Sequence, residues 1–203
     1  MKVSRHIIAK LYNRRGHRGE RGIAALELAI ILPVMLIIVC AIVDFGRLFN
    51  ARLEITNIAR EGGSLASRDI KSAANIITYL QIGASDLDLA KSGKIYVWKI
   101  NGGQNATAPK PAIYTANSAK AGNLLVDSSV QNSNGDNAYQ FGFSDTFYAH
   151  LVFNTTNQMS DIAEATVVEV FYRYTPISPI SNFIPGLMTG DSGGKIISSK
   201  AVF

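Results

Sequence analysis

The sequence predicts an α+β chain, in which one long helix begins as a membrane span and leads into a small antiparallel sheet. Three observations carry this. Residues 23–43, IAALELAIILPVMLIIVCAIV, form an apolar run with a single charge, Glu27. Beyond that run a helical period continues to about residue 66. From about residue 84, short β-rich runs alternate with polar, turn-rich stretches. The chain divides into a basic leader (1–22), a span (23–43), a helical extension (44–82) and a β-rich domain (83–203).

The leader holds most of the chain's excess charge. The formal net charge of the 203 residues is +5, from 20 Lys+Arg and 15 Asp+Glu. Residues 1–22 contribute seven basic groups (Lys2, Arg5, Lys10, Arg14, Arg15, Arg18, Arg21) against Glu20, which is 7 − 1 = +6. The other 181 residues therefore hold 13 basic and 14 acidic groups, a net −1. A nucleic-acid surface needs basic residues spread over a folded face, so no nucleic-acid partner is expected. The single cysteine, Cys40, excludes an intrachain disulfide and a thiolate zinc cluster. It sits in the apolar run and reads as a small buried hydrophobe. His6 and His17 belong to the leader, and His150 is alone after it, so neither a metal site nor a cofactor is expected.

The 21 apolar residues, at about 1.5 Å each, span about 30 Å of hydrocarbon as a helix. Pro33 lies inside, which a membrane helix tolerates. Residues 3–22 carry six Lys+Arg and residues 44–63 carry three, so the N-terminus is expected to stay cytoplasmic. The run is longer than a secretory signal core, and Asp44-Phe45-Gly46-Arg47 follows it in place of a small-residue cleavage site. Glu27 lies one turn inside, where a carboxylate costs about 2.5–3.5 kcal/mol; it either lies shallow enough to reach the interface or needs a positive partner.

After the span, Leu48, Ala51, Ile55, Ile58, Gly62 and Leu65 recur at helical spacing and predict a packing stripe that either packs on the chain's own domain alone or in part also on neighbouring subunits. Arg47, Asn50, Glu54, Asn57, Glu61, Ser64 and Arg68 form a polar stripe one residue out of phase. The two predict one helix from about 23 to 66, with Gly62-Gly63 as its bend or end. A second helix is expected over 69–82, with Ile70, Ala73, Ala74, Ile77 and Leu80 on one face. Strands are expected at 94–100, 138–143, 147–153, 166–174 and 195–203, giving a sheet of four or five. Residues 101–111 and 117–137 read as loops. In 166–174, Val168, Val170 and Tyr172 face one way and Glu169, Phe171 and Arg173 the other; Phe171 on the polar side predicts an outer face that is partly covered or that binds something. Pro176, Pro179 and Pro185 then forbid regular ladder pairing.

Several separated motifs carry a family resemblance. Gly22-Ile23-Ala24-Ala25-Leu26-Glu27 resembles a prepilin signature, cut after the glycine so that the glutamate becomes the fifth mature residue. With Leu32-Pro33, then Ile42-Val43-Asp44-Phe45-Gly46-Arg47-Leu48, then Thr56-Asn57-Ile58-Ala59-Arg60-Glu61-Gly62, it is similar to the TadE-like family over about 18–66. These are minor pseudopilins of the tight-adherence (Flp, type IVc) pilus system. The resemblance implies a pilin-like fold and cleavage between Gly22 and Ile23 by a prepilin peptidase. It also implies a register role for Glu27, paired with the new N-terminus of a neighbouring subunit. The implied partners are other minor pseudopilins or the major pilin, the inner-membrane assembly platform and membrane lipid. The implied location is the bacterial inner membrane, with the C-terminal domain periplasmic and access to the extracellular pilus after assembly. The chain is then a peptidase substrate and not an enzyme. The alternative is an unprocessed, single-pass periplasmic scaffold or binding protein.

One motif points elsewhere. Gly190-Asp191-Ser192-Gly193-Gly194, with Ala149-His150 and Asp161-Ile162-Ala163, resembles the triad motifs of trypsin-like proteases. All three lie within residues 150–192, too short a stretch for the two barrels that family uses to assemble a triad. His150 is read instead as a partly buried structural residue in a strand. Asn105-Ala106-Thr107 and Asn154-Thr155-Thr156 match the glycosylation pattern and are expected to be unmodified in a bacterial chain.

Overall fold

In the computed structural model, the described residues are 4–84, 86–177 and 194–203, with side chains from residue 22 onward. Helix α1 runs unbroken over Ser4–Ser67 and contains Pro33. Its 64 residues, at about 1.5 Å each, make a rod of about 96 Å. The upper part stands clear of the rest of the chain: its most apolar 18-residue window is 0% buried. The lower part is the spine of the domain. Along it Ala51, Ile55, Ile58, Ala59 and Ala66 are buried, and Ile55 is 0% exposed. Burying one such isoleucine contributes about 1.5–3 kcal/mol.

The helix ends at Ser67, close to the expected end at about 66, and it runs through Gly62-Gly63 without a break. A Cβ on Gly62 would lie 2.7 Å from Leu80 Cδ1 and 3.1 Å from Val168 Cγ1; one on Gly63 would lie 2.2 Å from the Phe203 ring. The glycines do not bend the helix but let its backbone approach a second helix and the sheet. Gly62→Leu is therefore expected to cost about 1–3 kcal/mol by overpacking. It should appear as a lower denaturant midpoint, with Gly62→Ala milder because the Leu80 side chain can rotate aside.

The chain leaves α1 through Asp69, whose φ is 51° and whose N–H bonds the Ala66 carbonyl at 3.2 Å. Helix α2 spans Ala73–Gly83, later than expected, because the Ser72 side chain caps it by accepting from Asn75 N. Ile70 therefore lies outside it, 57% exposed. Ile76 takes the inner position expected of Ala74, beside Ala73, Ile77 and Leu80. A one-turn helix, α3 (Leu89–Ser92), leads into the sheet.

The sheet is antiparallel and five-stranded. Its strands are β1 (Gly93–Asn101), β2 (Ala112–Ile113), β3 (Ala119–Ala121), β4 (Glu164–Tyr174) and β5 (Lys195–Val202). The order is β2-β1-β4-β5, with β3 also on β1. Ile95 pairs with Val170, Val97 with Val168, and Val168 in turn with Ala201. This register puts Ile95, Val97, Val168, Val170, Ile197 and Ala201 on the face that packs against α1 and α2. Two expected strands are absent. Residues 139–142 form a 3-10 turn with positive φ at Gln140 and Phe141. Residues Asp145–Leu151 form a helix, α4, because Ser144 caps it and Asp145 sits favourably in its first turn. The count of five is made up by β2 and β3, which are too short to show an alternation.

The outer face is covered, one of the two outcomes that Phe171 predicts. Tyr96, Trp98, Ile100 and Val167 are buried there under Val130 and Phe141 from the loop ahead of α4, with Phe171 packed alongside. Tyr96 and Trp98 stack at 5.7 Å, and Phe171 meets Tyr96 edge-on at 6.0 Å.

Candidate functional site

The residues at the head of the span stand in the open. Nothing lies within 4 Å of a Cβ built on Gly22, Ile23 is 71% exposed, and Glu27 is exposed. Among the described residues Glu27 takes no ion pair. The bond between Gly22 and Ile23 lies 22 residues ahead of Asp44, about 33 Å along the helix, so the domain does not shield it. Glu27 is thus open to hydrocarbon, to the membrane interface or to another chain. Cys40, inside the span, is half-buried rather than buried.

At the other end of the span the domain begins at once. Asp44, the first residue past the apolar run, is 1% exposed. Its carbonyl oxygen accepts from the Tyr174 hydroxyl at 2.9 Å, and its Oδ1 accepts from Ile177 N at 3.2 Å. The end of β4 is thereby fastened to the membrane exit of α1. The described part of the domain is tied to the span within one helical turn.

Of the expected packing stripe, Ala51, Ile55, Ile58 and Gly62 are buried against the chain's own sheet, and Leu48 and Leu65 are half-buried. A different row faces outward. Phe45, Phe49 and Leu53, at i, i+4 and i+8, are 40%, 62% and 61% exposed. They extend the bare apolar surface of the span past its end, and the sequence reading had not singled them out.

Two polar clusters pin the domain. Lys99, 5% exposed, reaches Asp69 at 2.5 Å and Glu164 at 3.2 Å. Burial acts to lower its pKa, but the hydrogen bonds and charges of Asp69 and Glu164 outweigh that and hold it above the ordinary lysine value. On the outer face Glu169, 2% exposed, accepts from the Ser128 and Ser129 hydroxyls and from Ser129 N at 3.1 Å. Ser128 Oγ also accepts from Trp98 Nε1 at 2.8 Å, and Lys200 Nζ donates to Ser129 Oγ at 2.7 Å. Lys200, opposite Glu169 in register, has its pKa lowered by burial, only partly countered by the Glu169 charge. This cluster was not legible in the sequence, because its partners are some 30 to 70 residues apart.

Two of the three protease-like motifs do meet. His150 Nδ1 lies 2.9 Å from Asp161 Oδ2. His150 is on α4 and its side chain is 58% exposed, so neither the expected strand nor the expected partial burial is present. Ser192 lies outside the described residues. The pair fastens α4 to the segment before β4, alongside the bond from Ile162 N to the His150 carbonyl at 2.9 Å.

The described residues hold one helix long and apolar enough to cross a membrane, near the N-terminus, which fits a single-pass anchor. Residues 22–64 match the family model described as TadE-like protein. The match starts at Gly22 and takes in the span, the Asp44 fastening and the helical spine. No curated protein and no solved structure matches the chain significantly.

Proposed function

We propose that this chain is a minor pseudopilin or assembly component of a Tad (Flp) pilus. In this reading a prepilin peptidase cuts it after Gly22, and it acts through helix–helix packing. The observation that carries the reading is Gly22-Ile23…Glu27 at the exposed head of an apolar helix, at the start of the family match. Cleavage frees an ammonium on Ile23 and gives the next subunit a partner for Glu27. A lone carboxylate in hydrocarbon is costly, but a well-placed ion pair can be buried.

The outward row Phe45, Phe49 and Leu53 supports packing between subunits. With the predicted stripe occupied by the chain's own sheet, this row and the bare span are exposed apolar surfaces of α1 open to neighbouring pilin or platform helices. The lysine and arginine asymmetry supports a cytoplasmic leader and a periplasmic domain. The chain then acts by assembly rather than catalysis, with neither metal nor cofactor.

The test is co-expression with and without the matching peptidase, followed by mass determination and N-terminal sequencing. The expected product begins at Ile23. An unchanged precursor beside an active peptidase would refute processing and leave a permanently anchored scaffold.

A further inference from the structure

The polar stripe of α1 leads to a second site. Arg47, Asn50 and Glu54 line a cleft of about 210 Å³ between α1 and the end of β4, closed by Asp86, Tyr172 and Tyr174. Its place is set by the fastening described above, since Tyr174 in its wall bonds the first residue past the span. Arg47 lies four residues beyond Val43, about 6 Å along the helix, and Glu54 eleven residues beyond, about 16 Å. The Arg47 end of the cleft therefore lies at the depth of lipid headgroups, with its guanidinium nearest the hydrocarbon, and its carboxylates stand farther out, where a headgroup reaching up from the bilayer meets them.

That order of charge has a chemical counterpart. A phospholipid with an amino headgroup carries phosphate next to its glycerol and an ammonium farther from the bilayer. A guanidinium binds phosphate through a planar fork, and an amide such as Asn50 adds a donor. A primary ammonium has three N–H donors for carboxylates. Glu54 is already held above the ordinary carboxylate range, first by burial and then by the charge of Asp86, against a hydrogen bond from the Asp86 backbone, and a cation entering the cleft would offset the repulsion between the two carboxylates. The cleft volume suits a headgroup of this size, while the acyl chains would stay beside the span.

We propose that the cleft binds the zwitterionic headgroup of an amino-phospholipid from the leaflet on the domain's side. Arg47 and Asn50 hold the phosphate, and Glu54 with Asp86 holds the ammonium. This rests on residues 23–43 spanning the membrane but not on processing or pilus assembly. Its consequence is orientational: a headgroup gripped at the exit of the span sets the depth and rotation of α1, and so where Phe49 and Leu53 point.

The experiment uses the full chain in detergent micelles, with phosphatidylethanolamine, phosphatidylcholine and phosphatidylglycerol offered in equal amounts and retention read by native mass spectrometry. Wild type is expected to keep phosphatidylethanolamine about tenfold more tightly than the other two, since only its headgroup pairs both charges with free N–H donors. Glu54→Gln, nearly isosteric, is expected to abolish that preference, and Arg47→Gln to lower retention of all three. Equal retention of the three lipids by wild type, or an unchanged preference in both variants, overturns the proposal. Glycerophosphoethanolamine, the same headgroup without acyl chains, is expected to bind at least about tenfold more weakly. Equal binding would assign the cleft to a soluble phosphoamine and overturn the lipid source. Carbonate extraction of the same variants from membranes checks the span separately: release into the supernatant refutes the anchor, whereas firm retention without lipid preference refutes only the cleft.

Discussion

Glu27→Ala is expected to leave cleavage after Gly22 intact and to lower incorporation into the pilus by roughly tenfold or more. The peptide bond to be cut is exposed on a continuous helix, five residues ahead of Glu27, so the cleavage site stays the same. What changes comes afterwards. Glu27 takes no ion pair among the described residues, and the domain starts about 25 Å farther down the helix. A cation on another chain relieves the unpaired state of Glu27 in hydrocarbon, which costs about 2.5–3.5 kcal/mol. The new Ile23 ammonium is the cation the proposed processing creates at that depth. Alanine removes both the penalty and the pairing, so the variant should insert at least as well as wild type yet lose axial register. Immunoblots of sheared pili against the membrane fraction measure this. Normal piliation by the mutant would end the register role of Glu27 and leave the cleavage proposal standing.

Glu169→Ala is expected to destabilise the domain by about 3–5 kcal/mol, the usual result of removing one member of a buried charged cluster. Three donors on Ser128 and Ser129 lose their acceptor at once, and Lys200, already disfavoured in its charged form by burial, loses the charge that offsets it. The loop carrying Val130 and Phe141 over the outer face is then held by packing, by the bond from the Tyr96 hydroxyl to the Val126 carbonyl at 2.6 Å, and by the bonds from Trp98 Nε1 to Ser128 and from Lys200 to Ser129 and Gly142. Trp98, the chain's single tryptophan, donates to Ser128 and reports the event directly. Its fluorescence in denaturant should show an earlier transition. Glu169→Gln should cost less, since it keeps the shape and an acceptor oxygen. Combining Glu169→Ala with Lys200→Met should cost less than the sum, because the second change removes a charge the first has stranded. Additivity would show that the two side chains do not act together.

The parts read correctly from sequence are those whose signal is periodic and long. The 21-residue run, the i, i+3, i+4 recurrence from Leu48 to Leu65 and the alternation in β4 each repeat a local rule often enough to rise above chance. The failures are short. Residues 147–151 hold Phe, Tyr and Leu in a row that reads as strand, and one serine cap decides for helix. β2 and β3 have two and three residues and exist because β1 offers an edge. Gly62-Gly63 obeys a rule about flexibility when read alone; in the fold it serves a rule about space.

The sequence by itself determined that this is a single long apolar helix with a basic head, a cleavable-looking glycine and a carboxylate at the fifth position, followed by an α+β domain. These follow from composition and local spacing, which a chain carries wherever it folds. Only the tertiary structure decided which helix face is used up. It gives the predicted stripe to the chain's own sheet and turns Phe49 and Leu53 outward. It also joins Asp44 to Tyr174 and Glu169 to Lys200. The physical reason is sequence distance: 130 residues separate the first pair, and no local preference encodes a contact that exists only once the sheet has closed over the helix.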